Sequence, residues 1–327
     1  MNKGIIFILK SLRKIYNYFF GKAVICDRGI TNPDEVSEVI YQLLETKKPC
    51  MIARFGSTEL YALTNYLGII APNHSIWKYI QGKQSEWWWE DNVKKQMTEW
   101  SGFFPSTDEN LMRFGDLMIN DYTQCDCLGC WLENEKLLSK YNQNIKRFWL
   151  IFLDPFWVDK PWTRILKNKR VLVIHPFAEI IEEQYKNHRT KLFKNPLILP
   201  DFKLTVIKAI QSLGGECEFS DWFEALENMK SQMDQTDYDI ALIGCGAYGF
   251  PLAAHAKRMG KQAIHMGGSL QLLFGIKGKR WENPQYAYRA RSVCPHLCYP
   301  NLFNEYWIRP TTYINKNSHI VEGGCYW

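Results

Sequence analysis

The sequence contains no run of about 20 uninterrupted apolar residues, so no segment is suited to cross a bilayer as a helix. The nearest approach, residues 3–22, is broken by Lys10, Arg13, Lys14 and Lys22. That segment also lacks the small-residue cleavage site of a secretory signal. Long Lys/Arg tracts, zinc-finger spacing and RRM-like motifs are all missing, and with them the usual footprints of a nucleic-acid binder. No internal repeat, low-complexity stretch or Pro/Gly/Ser linker divides the chain. Ten cysteines are present, but a long chain without a secretory signal does not imply a disulfide framework. Reduced thiols in a cytoplasmic protein are expected. Cys125, Cys127 and Cys130 form C-x-C-x-x-C, yet no fourth ligand follows at matching spacing, so zinc is not expected there.

What is present describes a folded α/β protein. Of 327 residues, 46% are hydrophobic and 23% charged, which suits one large core and excludes wholesale disorder. The aromatic share of 15% is high and suits either a core or surfaces that stack on sugar rings or bases. A net charge of +6 favours anionic partners such as nucleotide phosphates or an acidic membrane face. Residues 3–22 place Ile5, Ile8, Leu12, Ile15 and Phe19 at helical spacing between the cations. This basic amphipathic helix either lies in a membrane interface or packs on its own domain, and both readings stay open. The expected division is an N-terminal segment, 1–24, and a single domain, 25–327.

Along the chain, Asn32-Pro33-Asp34-Glu35 reads as a capped helix start. A buried strand over 50–55 follows, then a second helix with Leu60, Leu63 and Leu67 on one face. Residues 75–118 read as helical and aromatic, and 148–153 as an apolar run ended by Asp154-Pro155. Further strands are expected at 171–174, 204–207, 239–243 and 263–266, with helices over 221–233 and 251–259. Strands alternating with helices predict a Rossmann-like, mostly parallel sheet with helices on both faces, plus the N-terminal amphipathic helix. Ligands in such sheets bind at the carboxyl ends of the strands. That rule gathers residues 54–59, His175, 244–249 and 267–269 on one rim.

Five groups of residues carry chemistry. Gly244, Gly246 and Gly249 have G-x-G-x-x-G spacing after a strand, so their amides suit a phosphate, or the glycines permit close helix–strand packing. No acid ends the next strand, where a ribose ligand would be expected; His265 and Met266 stand there. Arg54-Phe55-Gly56-Ser57-Thr58-Glu59 sets charges at a strand-to-helix turn, Arg54 to grip phosphate and Glu59 to accept hydrogen bonds or help hold a cation. The alternative is a structural salt bridge and a helix N-terminus favoured by Glu59. Lys277, Lys279 and Arg280 surround Gly278 beside Trp281, a phosphate clamp or a solvated loop. His175 and Glu179, beyond another strand, are candidates for acid–base work, with a helix-capping role as the alternative for His175. Trp87, Trp88 and Trp89 suggest a stacking wall for an acceptor sugar, although at least one is expected in the core.

The order of these elements, from about Asn32 to Trp281, resembles the GT-D-fold glycosyltransferases, a bacterial family long described only as a domain of unknown function. The resemblance implies a Rossmann-like domain and a hexose donor of the nucleoside diphosphate type, UDP-sugars foremost. It implies transfer to a glycan or lipid-linked acceptor in surface polysaccharide or glycoconjugate synthesis. By position Arg54, Phe55, Gly56 and Glu59 match the family turn, which supplies an Asp-x-Glu pair for a divalent metal and the diphosphate. Here Ser57 stands in place of the Asp, and Thr58 in place of a Gly. Either a Mn or Mg ion rests on Glu59 and other groups with one acidic ligand missing, or catalysis is metal-free with the Lys277 to Arg280 cations on the leaving diphosphate, or the protein binds without activity. Catalysis is expected at Glu59, the residue the resemblance carries over, with His175 and Glu179 as acceptor-side candidates from their own place beyond another strand. Substrate binding falls to Arg54, Phe55, Gly56, Ser57, the glycines at 244, 246, 249, 267 and 268, Ser269, Lys277 and Arg280. Two other readings remain: a different transferase of the same pathways, and a non-catalytic nucleotide-sugar or glycan-binding protein. A cytoplasmic location is expected, peripheral to the inner membrane face if residues 3–22 bind lipid. Residues 304–327 are aromatic and glycine-bearing and are expected to dock back on the domain.

Overall fold

The structure, a computed structural model, describes residues 2–21, 27–212, 217–311, 324 and 326. Seven short strands form one sheet: β1 (Cys50–Arg54), β2 (Cys127–Cys130), β3 (Lys146–Trp149), β4 (Arg170–His175), β5 (Lys203–Lys208), β6 (Ile240–Ile243) and β7 (Gln262–His265). Their order is β3-β2-β1-β7-β6-β4-β5 and every pairing is parallel. Parallel neighbours cannot be joined by hairpins, so the crossovers cover the sheet on both faces. The expected architecture is therefore present.

The strands alternate strictly between two cores. In β1, Met51 and Ala53 face one hydrophobic cluster while Cys50 and Ile52 face the other. In β6, Ala241 and Ile243 oppose Ile240 and Leu242 in the same way. Burial on both faces is why these strands read as continuous apolar runs. The helices include α1 (Lys3–Phe20), α2 (Pro33–Glu45), α3 (Ser57–Ile69), α4 (Ile76–Ile80), α5 (Asp91–Ser101), α6 (Asp108–Tyr122), α7 (Ala178–Leu192), α8 (Trp222–Asp234) and α9 (Gly249–Arg258). Helix α2 begins as its sequence dictates, with the Asn32 side chain accepting from the Glu35 amide at 3.1 Å and Pro33 in the first turn. From β4 the chain passes to β5 on one side, and from β6 to β7 on the other. Connections therefore diverge at the crevice between β4 and β6, where a ligand is expected in this fold.

Two strands were not legible as such. The Cys127–Cys130 segment is β2, and the apolar run at 148–153 divides into the end of β3 and a 3-10 turn, Leu150–Leu153. The placement of β2 also explains the cysteine triplet. Cys125 and Cys130 lie in one core and Cys127 in the other, so the three cannot share an ion. The tryptophan triplet is not a helix face. Trp88 is buried with Leu9, Tyr79 and Ile80, Trp87 stacks on His74 at 5.3 Å, and Trp89 leans on the main core.

Helix α1 docks on α4 through Leu9, with ion pairs from Arg13 to Glu86 at 2.8 Å and from Lys10 to Glu90. Its other face, Ile5, Ile8, Leu12, Ile15 and Phe19, is exposed, and Trp77 beside Tyr16 is exposed as well. Among the described residues no helix is long and apolar enough to cross a membrane. Most of the aromatic tail (312–323, 325 and 327), together with Cys26, lies outside the described residues.

Candidate active site

The carboxyl ends of the strands frame a cavity of about 430 Å³, within the range of small-molecule sites. Arg54 enters from the end of β1, His175 from β4, Gly244 and Gly246 from the turn after β6, and His265 and Gly267 from β7. The far wall is the C-terminal end of α5, Trp100 to Gly102. Thus Arg54, the Gly244 turn and the Gly267-Gly268 turn share one cavity, which Gly56, Ser57, Glu59 and Arg280 also line.

Arg54 is half-buried and, among the described residues, has no hydrogen-bonded or ion-paired carboxylate. Its guanidinium lies 5.4 Å from the ring centre of Trp131 and against Gly267. Gly267 has φ +68° and an added Cβ would lie 3.3 Å from the arginine side chain. Only glycine adopts that turn easily while leaving the cation its space. Trp131, just beyond β2, is fixed by its indole N–H donating to the Phe55 carbonyl at 2.9 Å. Glu135 holds the Trp131 backbone by accepting its amide at 3.3 Å. Burial raises the Glu135 carboxyl to about 7, against the smaller opposing effect of those amides.

Glu59 occupies the third position of α3 and is 9% exposed. Its carboxylate folds back over Gly56; an added Cβ there would lie 1.7 Å from Oε2. A glycine before this helix is thus a steric requirement of the carboxylate's position. Among the described residues the carboxylate has no hydrogen-bond or ion-pair partner, and it lines the cavity. A buried acceptor without a donor is suited to a ligand hydroxyl.

His175 does not present a base to the cavity. Its Nδ1 accepts the Phe177 amide at 3.0 Å, at the start of α7, so Nε2 carries the proton and donates. Burial lowers its pKa to about 3, keeping the ring neutral. His265, also lowered to about 3 by burial and then by the Arg54 charge, is likewise neutral. Glu179 stands outside the cavity, exposed and paired with Lys208 at 2.7 Å. Phe55 is core, stacked on Phe250 at 4.5 Å. Gly249 is a packing glycine against the His265 ring. Lys277 lies over Phe303, its Nζ 5.6 Å from the ring centre, and does not line the cavity. Ser269 belongs to a second cavity beside the first.

For a divalent ion the donor set does not fit. Among the described residues no group of three or more His, Cys, Asp or Glu side chains comes together. Glu59 has the neutral Ser57 beside it, and the other charges on this wall, Arg54 and Arg280, are positive. Hard divalent cations need several oxygen ligands and are repelled by neighbouring guanidinium groups.

Sequence reasoning missed Trp131, Arg28, Trp149, Asp154 and Tyr286, all of which line one cavity or both. The strand-end rule would have found Trp131 and Trp149 once β2 and β3 were recognised.

An open parallel sheet with a ligand-sized cavity across its carboxyl edge defines a doubly wound α/β protein of the nucleotide-binding kind. Residues 156–273 match the family model of the GT-D fold-like domain, the family that the sequence resembles. The matched segment holds β4 to β7 and both glycine turns; the Arg54 to Glu59 turn precedes it. A solved structure of domain of unknown function 1792 is similar over 86% of this chain and 90% of that one, at 10% identity and a TM-score of 0.34. That superposition is too loose to add to what the sheet itself shows. No curated protein matches the chain.

Asp154 gives a pH test of the site's interior. It is 7% exposed and accepts from the Tyr299 hydroxyl at 2.5 Å, and burial raises its pKa to about 6 from 3.8. A raised carboxyl favours the folded state most below pH 3.8, and that contribution is lost as pH rises through 6. Asp154→Asn keeps an acceptor for Tyr299 but cannot ionise. Its stability relative to wild type should rise by about 2–3 kcal/mol between pH 4 and pH 7.5. Urea denaturation midpoints at the two pH values measure this, and a pH-independent difference would contradict the assignment.

Proposed function

We propose that this protein is a glycosyltransferase that moves a hexose from a nucleoside diphosphate sugar, a UDP-sugar foremost, to a glycan or lipid-linked acceptor. The observation that supports this most is Arg54, a half-buried cation that has no counter-ion among the described residues, sharing a cavity with the carboxylate of Glu59, which has no partner among them either. The bond from the sugar's anomeric carbon to the diphosphate oxygen breaks, and one from an acceptor hydroxyl oxygen to that carbon forms. The developing negative charge on the leaving diphosphate falls to Arg54 and Arg280, fixed donors in a partly dry site. The acceptor's proton passes to Glu59, the one carboxylate among the described residues that line the cavity. His175, through Nε2–H, donates a hydrogen bond rather than taking a proton. This reading dispenses with a metal, because the positive charge a metal would supply is supplied by side chains.

Glu59→Gln should therefore lower kcat by on the order of 100-fold or more with an unchanged melting temperature. Ser57→Asp restores an acidic pair two residues apart and should make turnover respond to manganese, to which the wild type is indifferent. Product analysis with labelled UDP-glucose measures both. Full activity in Glu59→Gln would remove the base, and binding without turnover would favour a non-catalytic sugar-nucleotide receptor.

We further propose that the bare face of α1 rests on an anionic membrane surface, which suits a lipid-linked acceptor. Ile5, Ile8, Leu12, Ile15 and Phe19 form the apolar stripe, exposed Trp77 extends it, and Lys3 and Lys14 flank it. The double substitution Ile8→Glu and Leu12→Glu should abolish sedimentation with phosphatidylglycerol vesicles and leave the melting temperature unchanged. Unaffected sedimentation would overturn the proposal. A wild-type dimer dissociated by the same substitutions would assign the face to a second copy instead.

A further inference from the structure

A second cavity, about 530 Å³, adjoins the first on the β3 side of the sheet. The two share Arg54, Trp131, Gly268, Arg280 and Tyr286, so whatever fills one meets whatever fills the other at the Arg54 guanidinium. Their linings differ in chemistry. Among the described residues the second is lined by Arg28, Arg54, Arg280 and Arg289 and by one acid, Asp154; Arg28, Arg54 and Arg289 have no carboxylate partner among them. That carboxylate is buried and committed to the Tyr299 hydroxyl at 2.5 Å, and so is poorly placed to neutralise Arg28 or Arg289.

Arg28 is held in position by the sheet. The Ile30 amide donates to the Arg147 carbonyl at 2.9 Å, and the Trp149 amide donates to the Ile30 carbonyl at 2.8 Å, pinning this segment along β3. The Arg28 guanidinium then lies 4.0 Å from the ring centre of Trp149. Among the described residues it has no carboxylate partner. Arg289, at the outer rim, makes a hydrogen bond to the Tyr288 hydroxyl at 3.3 Å and likewise has no carboxylate partner among the described residues.

Guanidinium groups laid on aromatic faces keep their edge donors free for planar, bidentate recognition of phosphate or carboxylate. Tryptophan and tyrosine faces suit the apolar faces of sugar rings. Excess positive charge in a recess excludes a neutral ligand as the best fit and focuses the field on an anion.

We infer that the second cavity is the acceptor site and that the acceptor is an anionic saccharide, one bearing phosphate or carboxylate beside the ring. The inference rests on the glycosyltransferase reading for the word acceptor, and on the cavity alone for the ligand's chemistry. In this arrangement the anion sits toward Arg28 and Arg289, and the ring lies along Trp149 and Tyr286. The ring's hydroxyl then reaches the shared wall at Arg54, where the donor's anomeric carbon arrives from the other side.

The test is calorimetric titration of the full chain with glucose 1-phosphate, glucuronate and glucose, without donor, for wild type, Arg28→Gln and Arg289→Gln. One of the two anions should bind at least about tenfold tighter than glucose, and which one does so separates phosphate from carboxylate. Arg28→Gln, outside the first cavity, should weaken that binding by about tenfold, the loss expected for one charge-assisted contact. If Arg28→Gln is misfolded by thermal melting, Arg289→Gln carries the same expectation. Equal or absent binding of the three sugars, or indifference to folded variants, overturns the inference. A parallel titration of wild type with UDP-glucose keeps the two readings apart. Anionic-sugar binding lost in Arg28→Gln while UDP-glucose fails to bind would sink the glycosyltransferase reading and leave an anionic-saccharide site.

Discussion

A half-buried guanidinium with no counter-ion among the described residues stands near the middle of the sheet's carboxyl edge, and the residues packed around it leave it room. Removing a charge from water without a partner costs stability, commonly several kcal/mol for a fully buried ion. Arg54 is therefore poorly explained as a stabilising residue. Around it, Gly267 leaves space, Trp131 offers a ring, and His265 stays neutral. Glu135 and Asp154 feel its charge, but each is buried and raised, to about 7 and about 6, and neither is bonded to it. The cation remains available to an anion from outside.

The same constraint orders the rest of the edge. The cation lies where the two cavities share a wall, so each gains a positive end from one residue. Glu59, on the helix that follows Arg54, is held over Gly56 rather than bonded to the arginine, which keeps a carboxylate and a cation separate within one turn. Among the described residues of this cavity Glu59 is a single carboxylate beside Ser57, which makes a poor site for a divalent ion. The charge that a metal would bring is the charge the arginines already hold.

Much of this edge was legible in the sequence because buried parallel strands announce themselves as apolar runs ending in glycine or charge. That pattern located β1, β4, β6 and β7, and with them Arg54, Glu59 and the two glycine turns. It failed where strands are short. The four residues of β2 read as a cysteine motif, and β3 merged with the 3-10 turn after it, so Trp131, Trp149 and Asp154 went unplaced. Roles that depend on direction were also beyond it. Whether His175 caps or catalyses turns on which nitrogen meets the Phe177 amide, and Glu179 faces Lys208 because of its position on the turn of α7. Adjacent tryptophans at 87–89 could not be sorted into core and surface without knowing that they lie outside a helix.

The central claim is that Arg54, and no metal, holds the anionic part of a sugar nucleotide. Calorimetric titration of wild type and Arg54→Ala with UDP-glucose, in buffer with EDTA and again with manganese, tests it most directly. The account predicts binding that survives EDTA in wild type and weakens at least about tenfold in a folded Arg54→Ala variant, the loss of one charge-assisted contact. Binding that requires manganese, or that is the same in both proteins, would contradict it.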